Sequence, residues 1–178
     1  MANTTLRQTI KVTLGASQIR LRFSNMFSLT PLTLDSVAVA LTFNNTAGVA
    51  SITRNSLKTV RFNGGQTSVT IPKAALAVSD PLDFAVTKGQ VLSITIYYQN
   101  GISGGAVTGH PGSRTDSWLT FGDQVKALNL TGSSLLSTAH WYSISGVEGW
   151  VPKSAKYLSI LGDSITDGRG STTNQNNR

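Results

Sequence analysis

The stretch IRLRF, residues 19–23, puts Ile19, Leu21 and Phe23 on one side of an extended chain and Arg20 and Arg22 on the other. Alternation of apolar and charged side chains has the period of a β-strand with one buried and one wetted face. The same pattern sets Ile10, Val12 and Leu14 against Lys11 and Thr13. It returns at Val37, Val39, Leu41 and Phe43, at Val60 and Phe62, and at Val69 and Ile71. Further on it runs through Leu82, Phe84 and Val86, and through Leu92, Ile94, Ile96 and Tyr98. Turn-forming clusters separate these runs: FNNTAG at 43–48, NGG at 63–65, SDP at 79–81, TKGQ at 87–90 and NGISGG at 100–105. Short strands at this spacing, with no amphipathic helix between them, predict an antiparallel β-sandwich or jelly roll over residues 1–150. No fixed-period repeat points to a propeller or solenoid.

Composition narrows the classes of function. The 178 residues suffice for a proper core, and charged residues make up only 13%. Fifteen Lys+Arg against eight Asp+Glu give a formal charge of +7, but the basic residues are scattered, so nucleic acid is not an expected partner. No stretch approaches a membrane span, and a membrane is likewise not expected. The absence of cysteine excludes disulfides, thiolate metal sites and a cysteine nucleophile. The opening MANTTLRQTI lacks the apolar region of a signal peptide, so either the protein is not exported or a signal has been removed. Asn3, Asn44 and Asn129 each begin an N-x-[ST] sequon, which is compatible with export.

The pattern changes near residue 150. In GWVPKSAKYLSILGDS, residues 149–164, a Pro and two Lys precede the unbroken run Tyr157 to Leu161, which ends on Gly162. Residues 151–178 therefore read as a connector, one strand buried on both faces as in a parallel α/β sheet, and a turn carrying Ser164. The tail GRGSTTNQNNR, residues 168–178, reads as an exposed polar loop. GDSITDG, residues 162–168, fails the spacing of a P-loop, a Rossmann fingerprint, an EF-hand and the G-x-S-x-G elbow, the last because Thr166 stands where glycine is required. What survives is a sharp turn permitted by Gly162, with Ser164 at the carboxyl end of a strand and a helix beginning after it. The helix N-terminus would aim backbone N–H groups at an oxyanion on Ser164. Asp163 and Asp167 suit the first turn of that helix, Asp167 in a capping position. The plainer reading is that Ser164 only caps a helix.

The stretch ILGDSITDG, residues 160–168, resembles block I of the SGNH, or GDSL, ester hydrolase family, and SITDGRGSTTNQNNR extends the likeness to members with an N-terminal jelly roll. TLRQTIKVTLG, IRLRFSNMF, PLTLDSVAVAL, SVTIPKAA, SDPLDFAV and GHPGSRTDSW are similar to the accessory β-domain of the same enzymes. The resemblance implies that Ser164 is a nucleophile whose backbone N–H is one oxyanion donor, with Gly162, Asp163 and Asp167 supporting it. It implies hydrolysis of a small ester or acylated carbohydrate, deacetylation included, with no metal or organic cofactor, and an extracellular location. The family's second-block glycine, third-block asparagine and late Asp-x-x-His have no counterpart in the 178 residues. A serine without a base is a poor nucleophile at neutral pH. The expected partner is therefore a C-terminal catalytic fragment of the same precursor, noncovalently bound after cleavage following Arg178.

His110, in the turn-like TGHPG, and His140, opening HWYSISGV, read as packing or turn residues. Trp118, Trp141 and Trp150 read as core or interdomain contacts, with a sugar-stacking platform as the competing reading. The competing class for the whole chain is a noncatalytic β-sandwich module that binds carbohydrate or serves as structural support.

Overall fold

The computed structural model describes residues 2–102 and 106–175. The position following Arg178 and residues 103–105 of the NGISGG turn lie outside the described residues. The described chain is mainly β, with β1 Thr4–Lys11, β2 Ile19–Ser24, β3 Leu32–Leu34, β4 Ser36–Leu41, β5 Lys58–Thr59, β6 Val69–Ile71 and β7 Leu76–Val78 in its first half. The second half holds β8 Val91–Tyr98, β9 Gly109–Pro111, β10 Ser117–Phe121, β11 Leu136–Thr138, β12 His140–Tyr142 and β13 Ile144–Gly149. A six-stranded sheet runs in the order β11-β10-β1-β8-β4-β5 and a three-stranded sheet in the order β13-β2-β7; β12 pairs with β9 and β3 with β6. Every pairing between these strands is antiparallel.

The register explains the core. Leu6 stands opposite Ile96 and Leu119, while Val37 and Val39 stand opposite Ile96 and Ile94, which lines up one apolar face. Leu21 and Phe23 of β2 close on this face from the other sheet, with Phe62 edge-on to Phe23 at a centroid distance of 5.9 Å. Both phenylalanines are fully buried, each contributing about 1.5–3 kcal/mol of transfer free energy. One shared core between antiparallel sheets is compatible with a β-sandwich.

The reverse face of the six-stranded sheet is buried as well. Thr5, Arg7, Thr9, Ser93 and Thr95 lie there without access to water, beneath loops that include Ala50 and Ala127 to Leu130. Among the described residues Arg7 has no carboxylate partner; its Nε donates to Thr95 Oγ1 (2.8 Å), its Nη1 to the Ala50 carbonyl (2.6 Å) and its Nη2 to the Ala127 carbonyl (2.8 Å). Burial pulls its guanidinium down to about 10, still charged at neutral pH.

The alternating runs emerge with adjusted bounds. The first strand begins at Thr4 rather than near Ile10, and Leu14 lies past its end, half exposed. Val60, Phe62, Leu82, Phe84 and Val86 are buried as the alternation implies, but isolated bridges such as Ile19–Leu82 and Ala16–Val86 replace strands in the latter segment. The NGG turn works through positive φ at Asn63, Gly64 and Gly65, and Asp80 accepts the N–H groups of both glycines. The last described strand ends at Gly149.

Candidate functional site

Strands β9 and β12 build the platform beneath the serine turn. His110 stands opposite Trp141, and Gln8 fixes the β12 backbone by donating to the Tyr142 carbonyl and accepting from the Tyr142 N–H. Gly109 is needed for this close pairing, since a Cβ there would lie 2.6 Å from His140 Nε2 and 2.8 Å from the Trp141 carbonyl oxygen. His140 stacks on Tyr142 at 4.3 Å, and His110 tilts against Trp141 at 5.9 Å. Burial lowers the His140 pKa, a charge on His110 lowers it further, and burial raises that of Tyr142.

Asp167 descends onto this platform. His110 Nε2 lies 3.1 Å from Asp167 Oδ2, and because an ionised carboxylate only accepts, Nε2 carries the proton. Seven residues further on, the chain is tied down again: the Asn174 N–H donates to the Arg114 carbonyl, Asn174 Oδ1 accepts from the Asp116 N–H, and Asn174 Nδ2 donates to Asp116 Oδ2, each at 2.8 Å. Asn174 adopts a positive φ of 64°, and its side chain occupies the space a Cβ on Gly48 would need. Trp118 Nε1 donates to the Gly48 carbonyl at 2.8 Å, holding that slot open.

Between these anchors Ser164 is exposed. Neither its hydroxyl nor its N–H makes a hydrogen bond among the described residues, although its carbonyl accepts from the Arg169 N–H at 2.8 Å. Asp163 Oδ1 accepts from the Ile165 N–H at 2.9 Å, and the Asp163 carbonyl accepts from the Asp167 N–H at 3.0 Å. Gly162 is required because the Thr166 side chain occupies the position of its Cβ.

Several expectations shift here. Asp163 Oδ1 closes the turn through the Ile165 N–H, and the Asp167 carboxylate faces His110. A succession of turns over residues 164–170 stands where a helix was expected. Tyr157 to Leu161 form no strand: Tyr157 is 88%, Leu158 80%, Ile160 70% and Leu161 99% exposed. A strand needs a neighbour for its ladder of hydrogen bonds, and none of the described strands pairs with this segment. The tail is also less free than its composition implies, with Ser171, Thr173 and Asn174 half-buried. The three tryptophans form no common platform: Trp118 faces Gly48, Trp141 faces His110, and Trp150 is 76% exposed.

The apolar segment passes over a groove of about 680 Å³ lined in part by Ile10, Val12, Leu14, Val147, Tyr157 and Ile160. Among the described residues no three of His, Asp and Glu gather as a metal site, and no helix is long and apolar enough to cross a membrane. No family model and no curated protein matches the chain. The contacts of His110 and Asn174 escaped the sequence reading because they join residues about 60 apart; only the turn-like HPG hinted at a surface loop.

Proposed function

We propose that the chain is the nucleophile-bearing part of a serine ester hydrolase of the SGNH type, its β-layers forming a jelly roll and its catalytic centre completed by a further polypeptide segment. The observation that carries this reading is the serine turn. Ser164 stands at an exposed turn with its hydroxyl and N–H both uncommitted among the described residues, directly after an apolar run that no described strand covers. A helix-capping serine would spend its oxygen on the backbone of the next turn, and here Asp163 has that task.

The chemistry is acyl transfer to water. Ser164 Oγ attacks the ester carbonyl carbon while a histidine of the completing segment takes its proton. The Ser164 N–H, with two further donors from that segment, holds the oxyanion. Collapse expels the alcohol with that proton, and water releases the acid. No metal or organic cofactor enters. Substrates are small esters or acylated carbohydrates, and the segment that supplies the base is a noncovalent C-terminal partner or a continuation of the same chain. Turnover of p-nitrophenyl acetate and an acetylated sugar by the completed protein, lost in Ser164→Ala, is the expected result. Turnover that survives Ser164→Ala overturns the assignment.

A second reading is favoured by Trp150. Its exposed ring borders a pocket of about 320 Å³ with Gln18, Arg20 and Glu148, an aromatic face beside planar polar groups that suits a noncatalytic carbohydrate-binding module. Retention on polysaccharide by residues 1–150, lost in Trp150→Ala, distinguishes it.

A further inference from the structure

From the two anchors on either side of residues 168–173, we infer that the β-layers position the nucleophile turn through His110, which makes His110 and Asp116 positioning residues for Ser164. This rests on the hydrolase reading. Residues 163–170 make only short local turns, which by themselves do not hold an exposed segment in one place. What fixes them is β9 and the loop that follows it: His110 of β9 grips Asp167, three residues after Ser164, while Arg114 and Asp116 of the loop together make three 2.8 Å bonds to Asn174. His110 is in turn held by Trp141 across the β9–β12 pairing, and Gln8 of the central strand β1 locks β12. The chain of contacts runs from the rigid sheet to within three residues of the serine.

Hydrogen exchange of the 178-residue chain, corrected for intrinsic rates, tests the anchor without any need for activity. In the wild type the amides of residues 167–174 are protected. His110→Asn, Asp167→Asn and Asp116→Ala each raise their exchange by about tenfold, while β8 amides stay unchanged as the control for folding. His110→Gln, which keeps a donor, recovers part of the protection. Unchanged exchange in all three variants overturns the inference. The second arm is fluorophosphonate labelling of Ser164 in the completed protein, slowed by about tenfold in His110→Asn when positioning matters. Labelling of the wild type that is indifferent to His110→Asn overturns the positioning role. Absence of labelling in the wild type counts against the hydrolase reading, and the exchange arm still decides the anchor.

Discussion

Arg7 shows what one residue contributes here. A guanidinium with no access to water and, among the described residues, no carboxylate beside it is expensive, and its donors offset that cost by bonding Thr95 and carbonyls of two loops. Arg7→Met removes those donors and is expected to cost about 3 kcal/mol or more, read as a lower urea midpoint at unchanged slope. Arg7→Lys falls nearly as far, because a single ammonium does not span Thr95, Ala50 and Ala127. None of this was legible beforehand. Arg7 sits in the polar run TTLRQT, whose strand has no apolar alternation because its second face is buried against loops rather than water. The turn at Ser164 was legible, since Gly-Asp-Ser after an apolar run is a local pattern; the partners of Asp167 and Asn174 were not, being set by the tertiary fold.

Among the elements, the two-stranded β9–β12 pairing has little tolerance. Gly109→Ala drives a methyl group into His140 and the Trp141 carbonyl, so the strands must part. The expected loss is about 1–3 kcal/mol, of the kind overpacking causes. A lowered melting temperature would show it, together with faster exchange at residues 167–174 as the His110 contact opens. Retained stability and protection would mean that the pairing is looser than described. The alternating strands β2, β4 and β8 could be read directly because one face of each meets a core and period two is visible. Tyr157 to Leu161 has strand composition, yet composition does not supply the neighbour that pairing requires.

For the whole molecule, the contrast is between an enclosed β-core and an apolar segment left in water. Exposed side chains at Tyr157, Leu158, Ile160, Leu161 and Ile165 form a surface that a folded protein ordinarily covers. Replacing Leu158, Ile160 and Leu161 with serine is expected to reduce self-association and dye binding of the chain in solution, measured by light scattering and anilinonaphthalene sulfonate fluorescence. The same change should abolish assembly with the completing segment. Improved solubility with assembly intact would show that the segment is not the docking strand. On the proposed hydrolase reading, covering it brings a base to Ser164, so both properties follow from one event. The most direct measurement is peptide mapping after fluorophosphonate treatment of the completed protein. The account predicts a single adduct on the peptide containing Ser164, absent without the completing segment. An adduct on any other serine, or none with both parts assembled, would contradict it.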